Sequence, residues 1–140
     1  MAARVESQEA EGGMTDVIET RTGQTWLRHD GILQAESHPD AEHRLQDAIE
    51  NLAASARLAR GVQRPTLICL RQIKSMNREA RQYYSGPESA KLYVAAALLI
   101  DSPVARVIGN FFLGLNKSSI PTRLFSSETE AIDWLRSYLR

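Results

Sequence analysis

The 140-residue sequence contains a single cysteine, Cys69, which excludes an intramolecular disulfide. It lies in an apolar run at 66–70, so we predict a buried strand in which the thiol packs as a small hydrophobic group. No apolar run reaches the roughly 18 residues that a membrane-spanning helix needs. Residues 1–13 also lack the apolar core of a signal peptide. These absences predict a cytoplasmic protein with no membrane span.

An excess of charge of one sign is also missing. The 17 lysine and arginine residues balance 17 aspartate and glutamate residues. Proteins that bind nucleic acid usually carry a basic surplus to neutralise phosphates, so we predict no nucleic-acid partner. The three histidines are His29, His38 and His43, and the last two are five residues apart rather than the four typical of a metal pair on a helix. We therefore predict neither a metal nor another cofactor.

Motifs for catalysis are absent as well. The sequence contains no Gly-x-Gly-x-x-Gly, Gly-Lys-Ser or Gly-x-Ser-x-Gly pattern. Carboxylates such as Glu79 and Glu88 lie among lysines and arginines, which is typical of a solvated, salt-bridged surface. We predict that the protein is not an enzyme.

What the sequence does contain is an alternation of strand and helix patterns. Residues 1–16 resemble a flexible tail, and 17–140 form one domain. Strands at 18–28 and 32–36 flank the turn signal Asp30-Gly31. A helix runs from a cap at Asp40 to Arg60, followed by the strand at 66–70. Further elements are a helix from 77 to 84, a strand at 92–100, a helix from 103 to 115, a strand at 122–125 and a helix that begins at 127.

This order, β-β-α-β-α-β-α-β-α, predicts an α/β fold. We expect a mixed, mostly parallel sheet of about five strands covered by about four helices.

One candidate site is the segment from Ile73 to Arg81, where the chain leaves the central strand and begins a helix. The carboxyl ends of strands in open α/β sheets often bind ligands or partners. Asn77 and the side chains of Arg78 and Arg81 suit an anion at the helix start, and Ser75 adds a hydroxyl group. A simple capped turn explains the same residues.

The second candidate site is the apolar helix at 103–115. Its spacing places one stripe of side chains on the core: Val104, Val107, Ile108, Phe111 and Leu115. A second set falls beside that stripe and is a possible interface for a partner or for a homodimer: Asn110, Phe112, Leu113 and Asn116.

Two parts of the sequence carry a resemblance to a known family. The passage at 67–78, ending Met76-Asn77-Arg78, is similar to the STAS domain of anti-sigma factor antagonists, where a central strand leads into a loop reading Met-Asp-Ser at a helix start. Residues 18–140 resemble an uncharacterised bacterial subgroup of STAS/SEC14-type, SpoIIAA-like domains in three phrases: Arg78-Glu79-Ala80-Arg81, Val107-Ile108-Gly109-Asn110-Phe111-Phe112-Leu113-Gly114-Leu115-Asn116 and Pro121-Thr122-Arg123-Leu124-Phe125.

The resemblance implies a regulatory, non-enzymatic module that docks a protein partner in bacterial signalling. In the antagonists a kinase phosphorylates the serine of the loop, but Arg78 occupies that position here. Phosphorylation of the nearby Ser75 is the hypothesis that replaces it. The alternative function is a small apolar ligand or lipid site, because related SEC14-type folds hold apolar ligands.

Overall fold

A computed structural model describes residues 14–114 and 120–139, which form a mixed sheet with helices on both faces. Residues 1–13 of the predicted tail lie outside this range, and its last three residues belong to the first strand. The elements in chain order are β1 (Met14–Glu19), β2 (Gly23–Arg28), β3 (Leu33–Ser37), β4 (Glu42–His43), α1 (Leu45–Ala59), β5 (Arg64–Cys69), β6 (Ser75–Met76), α2 (Arg78–Tyr84), α3 (Pro87–Leu92), β7 (Tyr93–Leu99), α4 (Pro103–Gly114), β8 (Thr122–Phe125) and α5 (Glu128–Arg136).

The main sheet has six strands in the order β1-β2-β3-β5-β7-β8. β1, β2 and β3 are antiparallel neighbours, whereas β3, β5, β7 and β8 run parallel. The short strands β4 and β6 pair with each other and place His43 beside Met76. The mostly parallel α/β architecture predicted from the sequence is confirmed.

The first predicted strand is wrong in one respect, because 18–28 contains parts of two strands. The chain turns between β1 and β2, where the Thr20 N–H donates to the Gly23 carbonyl at 2.9 Å. The next turn is the predicted one, since Gly31 has φ +92° and the Asp30 carboxylate accepts from the Ile32 N–H at 3.2 Å.

The start of α1 also differs from the prediction. Asp40 lies in a turn with φ +63°, and the helix begins at Leu45 with Arg44 as its N-cap residue. The Asp47 carboxylate accepts from the Arg44 N–H at 2.9 Å, and Arg21 donates two further hydrogen bonds to it at 2.8 and 2.6 Å. The Asp47 side chain therefore caps α1 from within the helix, and Arg21 of the β1–β2 turn holds this carboxylate in place.

The two faces of the sheet are packed differently. On one face, α5 contacts the small side chains of Ala95 and Ala97 and the buried Leu67 and Cys69. Cys69 is 3% exposed and packs in the apolar core, as predicted, and burial raises the pKa of its thiol to about 12. On the other face lie α1, α2, α3 and α4. Within 14–114 and 120–139, no helix has the length and apolar character to cross a bilayer.

Candidate functional site

A cavity lies on the face of the sheet that is covered by α1–α4. It has a volume of about 420 Å³, and the sheet is its floor. Its roof is formed by α1, by the junction between α2 and α3, and by Phe112 of α4. Most of its lining is apolar, including these side chains: Leu52, Ile68, Leu70, Met76, Tyr93, Leu98, Phe112 and Ile120.

Small side chains on the sheet keep this space open. Leu33, Ala35 and Ser37 alternate along β3, so they point to the same face, and the last two line the cavity. On β7 the cavity is lined by Tyr93, Ala96 and Leu98, of which Ala96, 5% exposed, has the smallest side chain. Larger residues at these positions would fill the space between sheet and roof.

A chain of hydrogen bonds crosses one end of the cavity. Ser37 Oγ lies 3.0 Å from His43 Nε2, and His43 Nδ1 lies 2.8 Å from the Tyr84 hydroxyl. The Asn51 amide donates to Tyr84 Oη at 2.8 Å and to Thr22 Oγ1 at 2.9 Å. Thr20 Oγ1 donates to the Asn51 carbonyl oxygen at 2.6 Å, which completes the chain. We call these residues the polar end of the cavity.

His43 is uncharged at neutral pH in this setting. The residue is 5% exposed, and burial lowers the pKa of its imidazole to about 4. The nearby Asp47 carboxylate acts to raise this pKa and the Arg21 guanidinium to lower it. Burial also raises the pKa of the Tyr84 phenol. The polar end therefore offers neutral hydrogen-bonding groups.

The Ser37–His43 pair resembles the nucleophile–base pair of a hydrolase, but its chemistry is weaker. In a catalytic triad a carboxylate stabilises the imidazolium, whereas here Tyr84 supplies a phenol. A base with a pKa near 4 accepts a proton poorly at neutral pH. This geometry suits hydrogen bonding to a ligand better than proton transfer.

The cavity lining includes none of the predicted loop residues Ser75, Asn77, Arg78 and Arg81, although the Asn77 N–H donates to the His43 carbonyl at 3.0 Å. Asn77 caps α2, because its side-chain oxygen accepts from the Ala80 N–H at 2.9 Å. Arg81 donates to the Met76 carbonyl at 2.6 Å, and its guanidinium lies 4.9 Å from the centre of the Phe111 ring. Ser75 and Arg78 are exposed. The capped-turn interpretation accounts for Asn77 and Arg81, and phosphorylation of Ser75 stays a prediction.

Helix α4 buries Ile108, as predicted, but not Val104 and Val107, which were predicted to share its stripe. Its buried residues are Ala105, Ile108 and Gly109, whereas Val104 and Val107 are 44% and 70% exposed. The helix is apolar on several sides, so spacing alone fits more than one buried stripe. The small residue Gly109 selects the buried stripe, because it lets α4 pack closely on β8. A Cβ at position 109 would lie 2.7 Å from Leu124 Cδ2.

The rotation of α4 changes the predicted interface. Phe112 is partly buried and lines the cavity instead of projecting from the flank, and Leu113 is also partly buried. Asn110 is exposed as expected. Asn116 and Leu115 lie outside the described residues.

The remaining histidines do not assemble a metal site. His38 Nε2 lies 3.5 Å from Glu19, and His29 is exposed. In the described segments no group of three histidine, cysteine, aspartate or glutamate side chains is placed to hold a metal ion.

Sequence reasoning missed the cavity because its residues come from many elements. His43 and Tyr84 are 41 positions apart in the sequence, and each has an ordinary local explanation. One signal was available: His43 lies just before a helix that carries the polar residues Asn51 and Ser55 toward the cavity.

The sheet order and the flanking helices give a SpoIIAA-like α/β fold. A similar crystal structure is that of an uncharacterised protein of the DUF3478 family with a SpoIIAA-like fold from Shewanella loihica PV-4, with a TM-score of 0.53. The two are 12% identical, and the match covers 88% of this chain and 94% of the other. The chain belongs to DUF7793, a domain of unknown function, which it matches over residues 25–139. Comparison with curated proteins gives no match.

Proposed function

We propose that this protein is a non-catalytic binding module that holds a small, mostly apolar ligand in the cavity between the sheet and α1–α4. The observation that carries the proposal is a cavity of about 420 Å³ with an apolar lining and one polar end. Sites for small molecules typically measure roughly 300–1,000 Å³ and combine apolar walls with a few polar groups. The sequence resemblance to SEC14-type domains, which hold apolar ligands, supports the same function.

The packing of the rest of the molecule strengthens the argument. Protein interiors leave few spaces larger than one water molecule. On the opposite face of the sheet, Ala97 and Leu99 are closely covered by α5. Strand β7 therefore packs tightly against α5 on one face of the sheet and borders the cavity on the other, which is expected of a binding site.

Titration with Nile red, a neutral apolar dye, tests the proposal. We expect saturable binding of one dye per chain. Ala96→Leu should weaken it by about tenfold, because the added atoms occupy the cavity. The matched control is Ala53→Leu on the exposed side of α1, which should bind as the wild type does. Binding that does not saturate, or that is unaffected by Ala96→Leu, would contradict the proposal.

A regulatory protein-docking module is the second candidate function. The observation that favours it is the exposed apolar surface of α4, where Val107 is 70% and Val104 is 44% exposed. Exposed apolar patches are common where proteins associate. The predicted homodimer is the simplest form of such an interaction.

Sedimentation equilibrium of wild type and Val107→Asp tests the docking surface. We expect the wild type to dimerise at high concentration and the variant to stay monomeric, because a carboxylate opposes burial in an apolar contact. The control is Arg57→Asp on the exposed face of α1. A monomeric wild type would remove the homodimer, and equal dimerisation of all three proteins would place the contact elsewhere.

A further inference from the structure

The hydrogen bonds at the polar end of the cavity have a defined direction. Asn51 uses both protons of its amide group, one for Thr22 and one for Tyr84. The Tyr84 hydroxyl therefore already accepts one hydrogen bond. Its own proton needs an acceptor, because an unpaired buried hydroxyl is costly. Among its neighbours in the described residues, His43 Nδ1 at 2.8 Å fills that role.

We assign the tautomer of His43 from this contact. If Nδ1 accepts from Tyr84, the proton of the neutral ring is on Nε2. Nε2 then donates to Ser37 Oγ across 3.0 Å. Within the described part of the chain, the proton of the Ser37 hydroxyl has no acceptor, and Ser37 lines the cavity. The chain of bonds thus ends on a hydroxyl donor at the cavity wall.

From this arrangement we infer that the ligand is an uncharged, mostly apolar molecule with a carbonyl or ether oxygen that accepts a hydrogen bond from Ser37 Oγ. The inference rests on the proposed internal binding site and adds the chemical class of its ligand. A carboxylate is a poor occupant, because an unpaired buried charge is far more costly than an unpaired dipole. None of the described side chains that line the cavity is a lysine or an arginine. His43 is uncharged at neutral pH and supplies no compensating positive charge.

Competition against Nile red with three straight-chain compounds of equal length tests this inference. They are methyl octyl ketone, decane and decanoate. The proteins are wild type, Ser37→Ala and Ser85→Ala. Ser85 lines the same cavity, but its hydroxyl already donates to the Arg81 carbonyl at 2.9 Å, so it is a matched control.

We expect Ser37→Ala to weaken binding of the ketone by about two- to tenfold, the effect of one neutral hydrogen bond, and to leave decane unchanged. Ser85→Ala should leave both compounds unchanged. Unchanged decane binding also shows that the Ser37→Ala cavity is intact. If this variant fails to fold, Ser37→Cys, a weaker donor of similar size, takes its place.

Three results would overturn the inference. The first is an equal effect of Ser37→Ala on ketone and alkane. The second is no effect of this variant on either compound. The third is tighter binding of decanoate than of the ketone, which would show an anion site. In each of these cases the compounds still bind, so the internal site survives. If no compound displaces the dye and the dye does not saturate, the proposed function itself fails.

Discussion

Acidification should destabilise the fold through His43. Its imidazole is 5% exposed and lies between Ser37 and Tyr84. Protonation would place a charge among neutral partners, and Nδ1 would lose the ability to accept from Tyr84. The folded protein resists this protonation, whereas the unfolded chain does not. Proton binding and unfolding are therefore coupled.

The sign and size of the effect follow from the two pKa values of His43. They are 6.5 in the absence of structure and about 4 in the folded protein. Between these two values the unfolded chain binds more protons than the folded protein does. The contribution of neutral His43 to the free energy of unfolding is therefore complete above the higher pKa and is lost as the pH is lowered toward the lower one. At 1.36 kcal/mol per pKa unit, the loss is about 2 kcal/mol by about pH 5 and about 3 kcal/mol by about pH 4.

Urea unfolding followed by circular dichroism at about pH 7.5 and about pH 5 measures this loss. This range stays above the region where Asp47 titrates, because hydrogen bonds from Arg21 hold the pKa of that carboxyl below its usual value. Wild type and the exposed control His29→Gln should both lose about 2 kcal/mol. His43→Gln should be less stable at neutral pH but should lose less than half as much on acidification. If all three proteins lose the same amount, His43 is not the group responsible.

Three further predictions concern stability. Gly23→Ala should cost about 3 kcal/mol or more, because its Cβ would lie 2.0 Å from the Glu36 carbonyl oxygen. Gly61→Ala, in open space with φ +79°, should cost only about 1–2 kcal/mol in the same urea experiment, and equal losses would contradict the close approach of β2 and β3. Ala97→Leu should lower the free energy of unfolding by about 1–3 kcal/mol through overpacking, whereas Ala96→Leu, which adds atoms to the cavity, should keep or raise the melting temperature. If Ala96→Leu were the more destabilising of the two, the cavity would be on the other face of the sheet. Asn77→Ala should cost about 1 kcal/mol in urea through loss of the α2 cap, and an unchanged midpoint would show that the cap is dispensable.

Local chemistry explains which elements were predictable. The turn at Asp30-Gly31 and the caps at Asn77 and Ser127 depend on side chains within three residues of the bond they make. The turn between β1 and β2 carries a weaker signal, since its central residues are Arg21 and Thr22 rather than glycine, proline or asparagine. The predicted single strand at 18–28 follows from that missing signal.

Contacts between distant elements explain what was not predictable. The buried side of α4 is selected by the fit of Gly109 against Leu124, which no spacing rule contains. The start of α1 depends on Arg21, which reaches it from a turn about 26 positions earlier. The cavity likewise exists only after the sheet and four helices assemble, so its lining could not be read from any one segment.

The alanines of β7 give this strand two separable roles. Ala95 and Ala97 bring α5 close to the sheet, whereas Ala96 leaves room beneath the other helices. Side chains alternate between the faces, so a change at position 96 alters the depth of the cavity while the α5 face keeps its packing. The size of the proposed binding site could thus be adjusted at position 96, with little effect on the packing of α5.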